Sequence, residues 1–74
     1  MAALKAGLLG LGRGGQQLAE TLLHSSWCEL VCVASQRTDR LEKLAAAHPS
    51  VTIHNDYRLA VVSRPLDVLF VTIP

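Results

Sequence analysis

Aromatic side chains are scarce in this chain: one Trp, one Tyr and one Phe among 74 residues, against a hydrophobic share of 50%. Any core must therefore be assembled from Leu, Val, Ala and Ile, the usual filling of α/β layers. Charge of one sign is lacking too, with seven basic and six acidic residues and a net charge of +1. That balance removes a general electrostatic case for nucleic acid or an anionic membrane, so any anion site must be local. No apolar run reaches the roughly 18 residues that a membrane span requires. Glycines and Arg13 interrupt the N-terminal stretch where a signal peptide would carry its apolar segment. The expectation is a soluble, cytoplasmic protein with neither a membrane nor a nucleic-acid partner.

Cysteine is sparse as well. Cys28 and Cys32 stand four positions apart in what reads as one strand. That spacing places both on the same face, too far apart to bridge, so two core thiols are expected. His24, His48 and His54 are scattered and complete no ligand set with them, and no metal site is expected.

What is present is an alternation of short apolar runs and amphipathic stretches. Leu4 to Leu9 is apolar apart from Lys5 and stops at Gly10, as a first buried strand would. Leu18, Ala19, Leu22 and Leu23 then recur at helical spacing from Gly14 or Gly15 onward, with Gln16, Gln17, Glu20 and Thr21 on the other side. Small hydroxyl residues at Ser25 and Ser26 end that helix. Cys28 to Ala34 is apolar on both faces apart from Glu29, the pattern of a strand covered by helices on both sides. Asp39 is expected to cap a second helix with Glu42 reaching back, and Leu41, Leu44 and Ala45 to form its buried stripe, closing at His48-Pro49. Val51 to His54 predicts a short strand near the sheet edge, Asp56 the cap of a brief helix ending before Pro65, and Asp67 to Ile73 a β-branched final strand. The fold class is α/β: a parallel sheet of about four strands with right-handed crossover helices, the first half of a doubly wound Rossmann fold. At 74 residues the chain holds one domain at most, too little for the complete fold.

The glycine cluster between the first strand and first helix carries the chemistry. Gly10, Gly12 and Gly15 fit G-x-G-x-x-G, in which the first glycine allows the tight turn, the second lets backbone approach a pyrophosphate, and the third lets helix and strand pack closely. The candidate phosphate segment is Gly10, Leu11, Gly12, Arg13, Gly14 and Gly15, with the phosphates on a helix N-terminus. The competing loops fit less well. A P-loop needs Lys and Ser or Thr after its last glycine, where this chain has Gln16 and Gln17, and a kinase glycine loop joins two strands rather than opening a helix. In a dinucleotide site a carboxylate about twenty residues beyond the glycines accepts the ribose hydroxyls of NAD. Here that position is Ser35, followed by Gln36, Arg37 and, one turn later, Arg40. A guanidinium suits a 2′-phosphate that a carboxylate would repel, so NADP is the expected cofactor, with NAD the alternative.

Four blocks, Lys5 to Gly15, Glu29 to Ser35, Arg40 to Ala45 and Leu66 to Pro74, together resemble the N-terminal nucleotide-binding domain of the Gfo/Idh/MocA oxidoreductases in order and spacing. The Asp-Val-x-x-Val-x-x-Pro ending is more particular to that group than the glycine motif. The resemblance implies a two-domain, often homo-oligomeric NAD(P)-dependent oxidoreductase acting on a sugar, polyol or related carbonyl substrate. It also implies that Thr72, Ile73 and Pro74 pass near the nicotinamide ribose. Residues 1–74 are then a partial dinucleotide-binding domain, truncated before the family's Glu-Lys-Pro motif, whose lysine takes part in proton transfer, and before the substrate domain. Neither lysine here, Lys5 or Lys43, matches that motif. No catalytic residue is assigned, and the 74 residues alone are not expected to turn over substrate. The alternative is a non-catalytic dinucleotide-binding regulatory or interaction module.

Overall fold

The computed structural model describes residues 3–63 and 65–73. Seven elements alternate along them: β1 (Leu4–Leu9), α1 (Arg13–Leu23), β2 (Cys28–Ala34), α2 (Thr38–Ala47), β3 (Thr52–His54), α3 (Tyr57–Ser63) and β4 (Val68–Val71). The strands form one sheet in the order β3-β2-β1-β4, and every pairing is parallel. The two strands with the longest apolar runs, β1 and β2, lie at its centre, where both faces are covered.

Each face of the sheet has its own core. Leu8, Leu30 and Val33 pack against Ala19 and Leu22 of α1 and Leu41 of α2. On the opposite face Leu9, Val31, Cys32 and Ala34 pack against Ala60 of α3. Leu8 and Val33 are fully buried, and a side chain of that size contributes about 1.5–3 kcal/mol on leaving water. Beyond the ends of β4, main-chain bonds to β1 continue, from Asp67 N–H to Lys5 O and from Thr72 N–H to Leu9 O, each 2.8 Å. The Asp67 carboxylate also accepts the Lys5 amide at 2.8 Å.

Two expectations are corrected. Cys28 and Cys32 do not share a face: Cys28 packs on the α1/α2 side and Cys32 on the α3 side. The cause is a register shift in which Ala6 pairs with Leu30 and Gly7 with Cys32, leaving Val31 as an extra residue in β2. Such a bulge reverses the alternation beyond it. Neither cysteine is in a disulfide, and the buried Cys32 donates its S–H to Ala60 O at 3.6 Å. The second correction concerns Asp39, which does not cap α2. The cap position is Arg37, with no side-chain cap bond, and Asp39 lies inside the first turn. A carboxylate there still meets the positive end of the helix. By contrast Asp56 does cap α3, its Oδ1 accepting the Arg58 amide at 2.9 Å. No helix among the described residues is long and apolar enough to cross a membrane.

Candidate functional site

All strands are parallel, so the turns that leave β1, β2 and β3 collect at one edge of the sheet, together with the end of β4. The chain leaves β1 through Gly10 at φ +102°, a conformation that side-chain-bearing residues rarely adopt. Gly15, in the first turn of α1, is buried against this turn. A Cβ on it would stand 2.8 Å from Thr72 Oγ1 and 2.9 Å from the Gly10 carbonyl carbon. Only glycine lets α1 start so close to β1. Thr72 completes the packing, sharing its hydroxyl between the carbonyl oxygens of Leu9 at 3.0 Å and Gly10 at 3.1 Å.

Gly12 and Gly14 differ from these. A Cβ at either would meet nothing within 4 Å, so no group of the chain itself requires glycine there. Both line an open cleft of about 390 Å³, which a side chain at either position would begin to fill. Gly12 is the N-cap of α1 and offers no side-chain acceptor, and no acidic residue lies in the first turn. The amides of Arg13, Gly14 and Gly15 precede the first intrahelical bond, from Gln16 N–H to Gly12 O at 2.9 Å, and no acceptor among the described residues takes them. The positive end of α1 is thus uncompensated, and Arg13 adds a cation to it. Such a combination is chemically able to hold an anion.

The turn after β2 forms a second wall. Ser35 is only 2% exposed; its amide donates to His54 O at 3.1 Å, and its hydroxyl accepts the Arg37 amide at 3.0 Å. Ser35 therefore shapes the turn, while Gln36 and Arg37 are exposed on the cleft's rim. Thr72 and Ile73 form a third wall. No carboxylate lines the cleft among the described residues, whereas Arg13 and Arg37 both do. The free amides, the open space over Gly12 and Gly14 and the two guanidinium groups fit a ligand carrying more than one phosphate. Among the described residues no group of three or more His, Cys, Asp or Glu gathers to hold a metal ion.

Of the candidate residues read from the sequence, Gly10, Leu11, Gly12, Arg13, Gly14, Ser35, Gln36, Arg37, Thr72 and Ile73 come together around the cleft. Gly15 lies beneath it. Arg40 stands apart, in a groove of about 380 Å³ between α1 and α2, and its guanidinium donates to Leu11 O at 2.6 Å. Pro74 lies outside the described residues. One lining residue had no signal of its own: Tyr57, the first residue of α3, is half-buried against the Ala60 cluster and faces the same cleft. Its place follows from Asp56, because a cap that starts a helix right after a parallel strand puts the helix's first side chain at the glycine edge.

No protein-family model and no curated protein matches the sequence. Solved structures match its fold. The chain superposes on a myo-inositol 2-dehydrogenase from Lactobacillus plantarum with a TM-score of 0.89 and 25% identity, over 97% of this chain and 22% of that one. It superposes on a scyllo-inositol dehydrogenase from Lactobacillus casei, solved with NAD(H) and scyllo-inositol bound, with a TM-score of 0.85 and 24% identity over 97% and 22%. A protein from Desulfitobacterium hafniense proposed to be an NADPH-dependent oxidoreductase gives 0.80 and 21%, over 100% and 21%. The chain thus spans about a fifth of the length of the structures it matches. They bear out the resemblance to the Gfo/Idh/MocA oxidoreductases, and the fold is that of the Rossmann-like half found in dehydrogenase N-terminal domains.

Proposed function

We propose that this chain is the cofactor-binding part of an NAD(P)-dependent oxidoreductase, with NADP preferred, whose substrate is a sugar, polyol or related carbonyl compound. The observation that carries the reading is the start of α1. A helix end with free amides, no acidic residue and an added arginine opens into a cleft over two glycines that nothing in the chain requires. Residues 1–74 form part of the dinucleotide domain, and the substrate domain and catalytic groups belong to a longer protein. The inositol dehydrogenases it superposes on support the substrate class.

In this reading the first-turn amides of α1 and Arg13 hold the pyrophosphate, and Ile73 bounds the site on the β4 side. Ser35 holds the turn that presents Arg37 to the adenosine ribose, where its guanidinium pairs with a 2′-phosphate. The bound cofactor supplies hydride transfer; the chain's own residues bind and orient it. Titration of the longer protein that carries this chain with NADPH and NADH, followed by cofactor fluorescence, tests this. NADPH binds at least tenfold tighter than NADH, and Arg37→Ala removes about that factor, the effect of one charge-assisted hydrogen bond. Equal affinity for both cofactors, or no effect of Arg37→Ala, overturns the NADP preference; no binding of either overturns the cofactor reading.

A further inference from the structure

Two arginines follow β2, and the sequence pattern treats them alike. The structure separates them. Arg37 is exposed on the cleft, whereas Arg40 is half-buried outside it, with Nη1 2.6 Å from Leu11 O, a carbonyl 29 residues earlier in the glycine turn. The backbone of Arg37 anchors the other end of this link, since its carbonyl accepts the amides of Arg40 at 3.0 Å and Leu41 at 3.1 Å. One residue therefore ties the start of α2 to the turn before α1.

The consequence lies in the Leu11–Gly12 peptide. No peptide bond among the described residues is cis, and across a trans planar unit the C=O and N–H point in opposite directions. Holding Leu11 O toward the groove between α1 and α2 aims the Gly12 N–H away from that groove, to the side where Leu11 and Gly12 line the cleft. Gly12 has no side chain to restrain it, and a glycine turn left alone samples many conformations. A guanidinium on the preceding carbonyl removes that freedom before any ligand arrives.

We propose that Arg40 is a positioning residue for the glycine turn, fixing the Leu11–Gly12 peptide for a pyrophosphate, and that it is not a second contact to the 2′-phosphate. This rests on the dinucleotide reading above. Two ligand pieces separate the roles: ADP-ribose carries the pyrophosphate without a 2′-phosphate, and 2′-AMP carries the 2′-phosphate without a pyrophosphate. Arg40→Met keeps the apolar stem and removes the donors. It weakens ADP-ribose about tenfold and leaves 2′-AMP unchanged, while Arg37→Ala does the reverse. Loss of 2′-AMP binding equal to or larger than that of ADP-ribose in Arg40→Met, or no loss of either, overturns the proposal.

Amide NMR of the ligand-free chain gives a reading independent of any ligand. In Arg40→Met the Gly12 resonance shifts or broadens, while Val33 in the central strand keeps its position and reports an intact fold. An unmoved Gly12 resonance overturns the proposal. If the longer wild-type protein that carries this chain binds neither piece, the dinucleotide reading is refuted, and the Gly12 resonance then still decides whether the clamp exists. On the unmutated chain, 2′-AMP shifts the Arg37 Nε–H signal and leaves that of Arg40 in place. A comparable shift of both overturns the assignment even if Arg40→Met fails to fold.

Discussion

The helices α1 and α3 begin at the same edge of the sheet and are finished in opposite ways. At α3 the end is closed from within: Asp56 Oδ1 accepts the Arg58 amide at 2.9 Å, and the Asp56 carbonyl accepts the Leu59 amide at 3.1 Å. Arg58 folds back on the same carboxylate at 3.2 Å. At α1 the cap is a glycine without an acceptor, the first turn holds no acid, and its first residue is an arginine. A helix of 11 residues gains from a capping acceptor as a shorter one does, so its omission at α1 is informative. The difference separates a helix start whose amides are met by its own chain from one whose amides find no acceptor among the described residues.

The largest expected effect comes from disturbing the packing that supports the open end. Gly15→Ala would force a Cβ against the Gly10 backbone and the Thr72 hydroxyl, with a cost of about 3 kcal/mol. It is expected to lower the denaturant midpoint and to abolish dinucleotide binding. An unchanged midpoint would show that α1 is not seated on the turn and would dissolve the contrast with α3.

A middle-sized effect comes from giving α1 the cap that α3 already has. Gly12 has extended N-cap geometry and open space around its Cα, so Gly12→Asp fits without a clash. Stability is expected to rise by about 0.5 kcal/mol. Dinucleotide affinity is expected to fall at least about a hundredfold, because the carboxylate takes the amides and repels phosphate. Thermal denaturation and cofactor titration of one variant thus move in opposite directions. If affinity survives, the amides of α1 are not the anion site.

The smallest effect belongs to α3. The Arg58 side-chain hydrogen bond, aided by the Arg58 amide, holds the Asp56 carboxyl below its ordinary value. A carboxyl with a depressed folded pKa contributes stability above its unfolded value, near 3.9, and loses it as pH falls through the folded value. Asp56→Asn keeps a capping oxygen without the charge. Its stability deficit relative to the wild type is therefore expected at pH 6 and to shrink below about pH 4, with cofactor affinity unaltered. A deficit that persists at low pH would mean that packing around α3 sets the difference, not the charge on Asp56.

Much of this arrangement is legible along the chain, and the parts that are not share a cause. Leu4 to Leu9 and Cys28 to Ala34 read as buried strands because both of their faces are apolar, and α1 reads from Leu18, Ala19, Leu22 and Leu23 at helical spacing. The Asp56 cap acts on the residues right after it, and so was foreseeable. Asp39 was not, since the turn that Ser35 makes with the Arg37 amide moves the start of α2 back to Thr38. The facing of the two cysteines is not legible, because alternation within β2 says nothing of the extra residue that pairing with β1 leaves at Val31.

The sequence by itself determined the order and kind of the elements and the glycine turn, because periodicity, caps and turn residues act over four residues or fewer. It also determined that Ser35, not a carboxylate, stands directly after β2, with Arg37 and Arg40 beyond it. Tertiary structure alone decided which of those cations faces the cleft. Arg37 and Arg40 are equivalent as a pattern, but Arg40 finds Leu11 O across 29 residues of chain, and Tyr57 reaches the site only because β3 runs parallel to β2 at the sheet's edge. Such partners are set by strand order and helix placement, which no local spacing encodes.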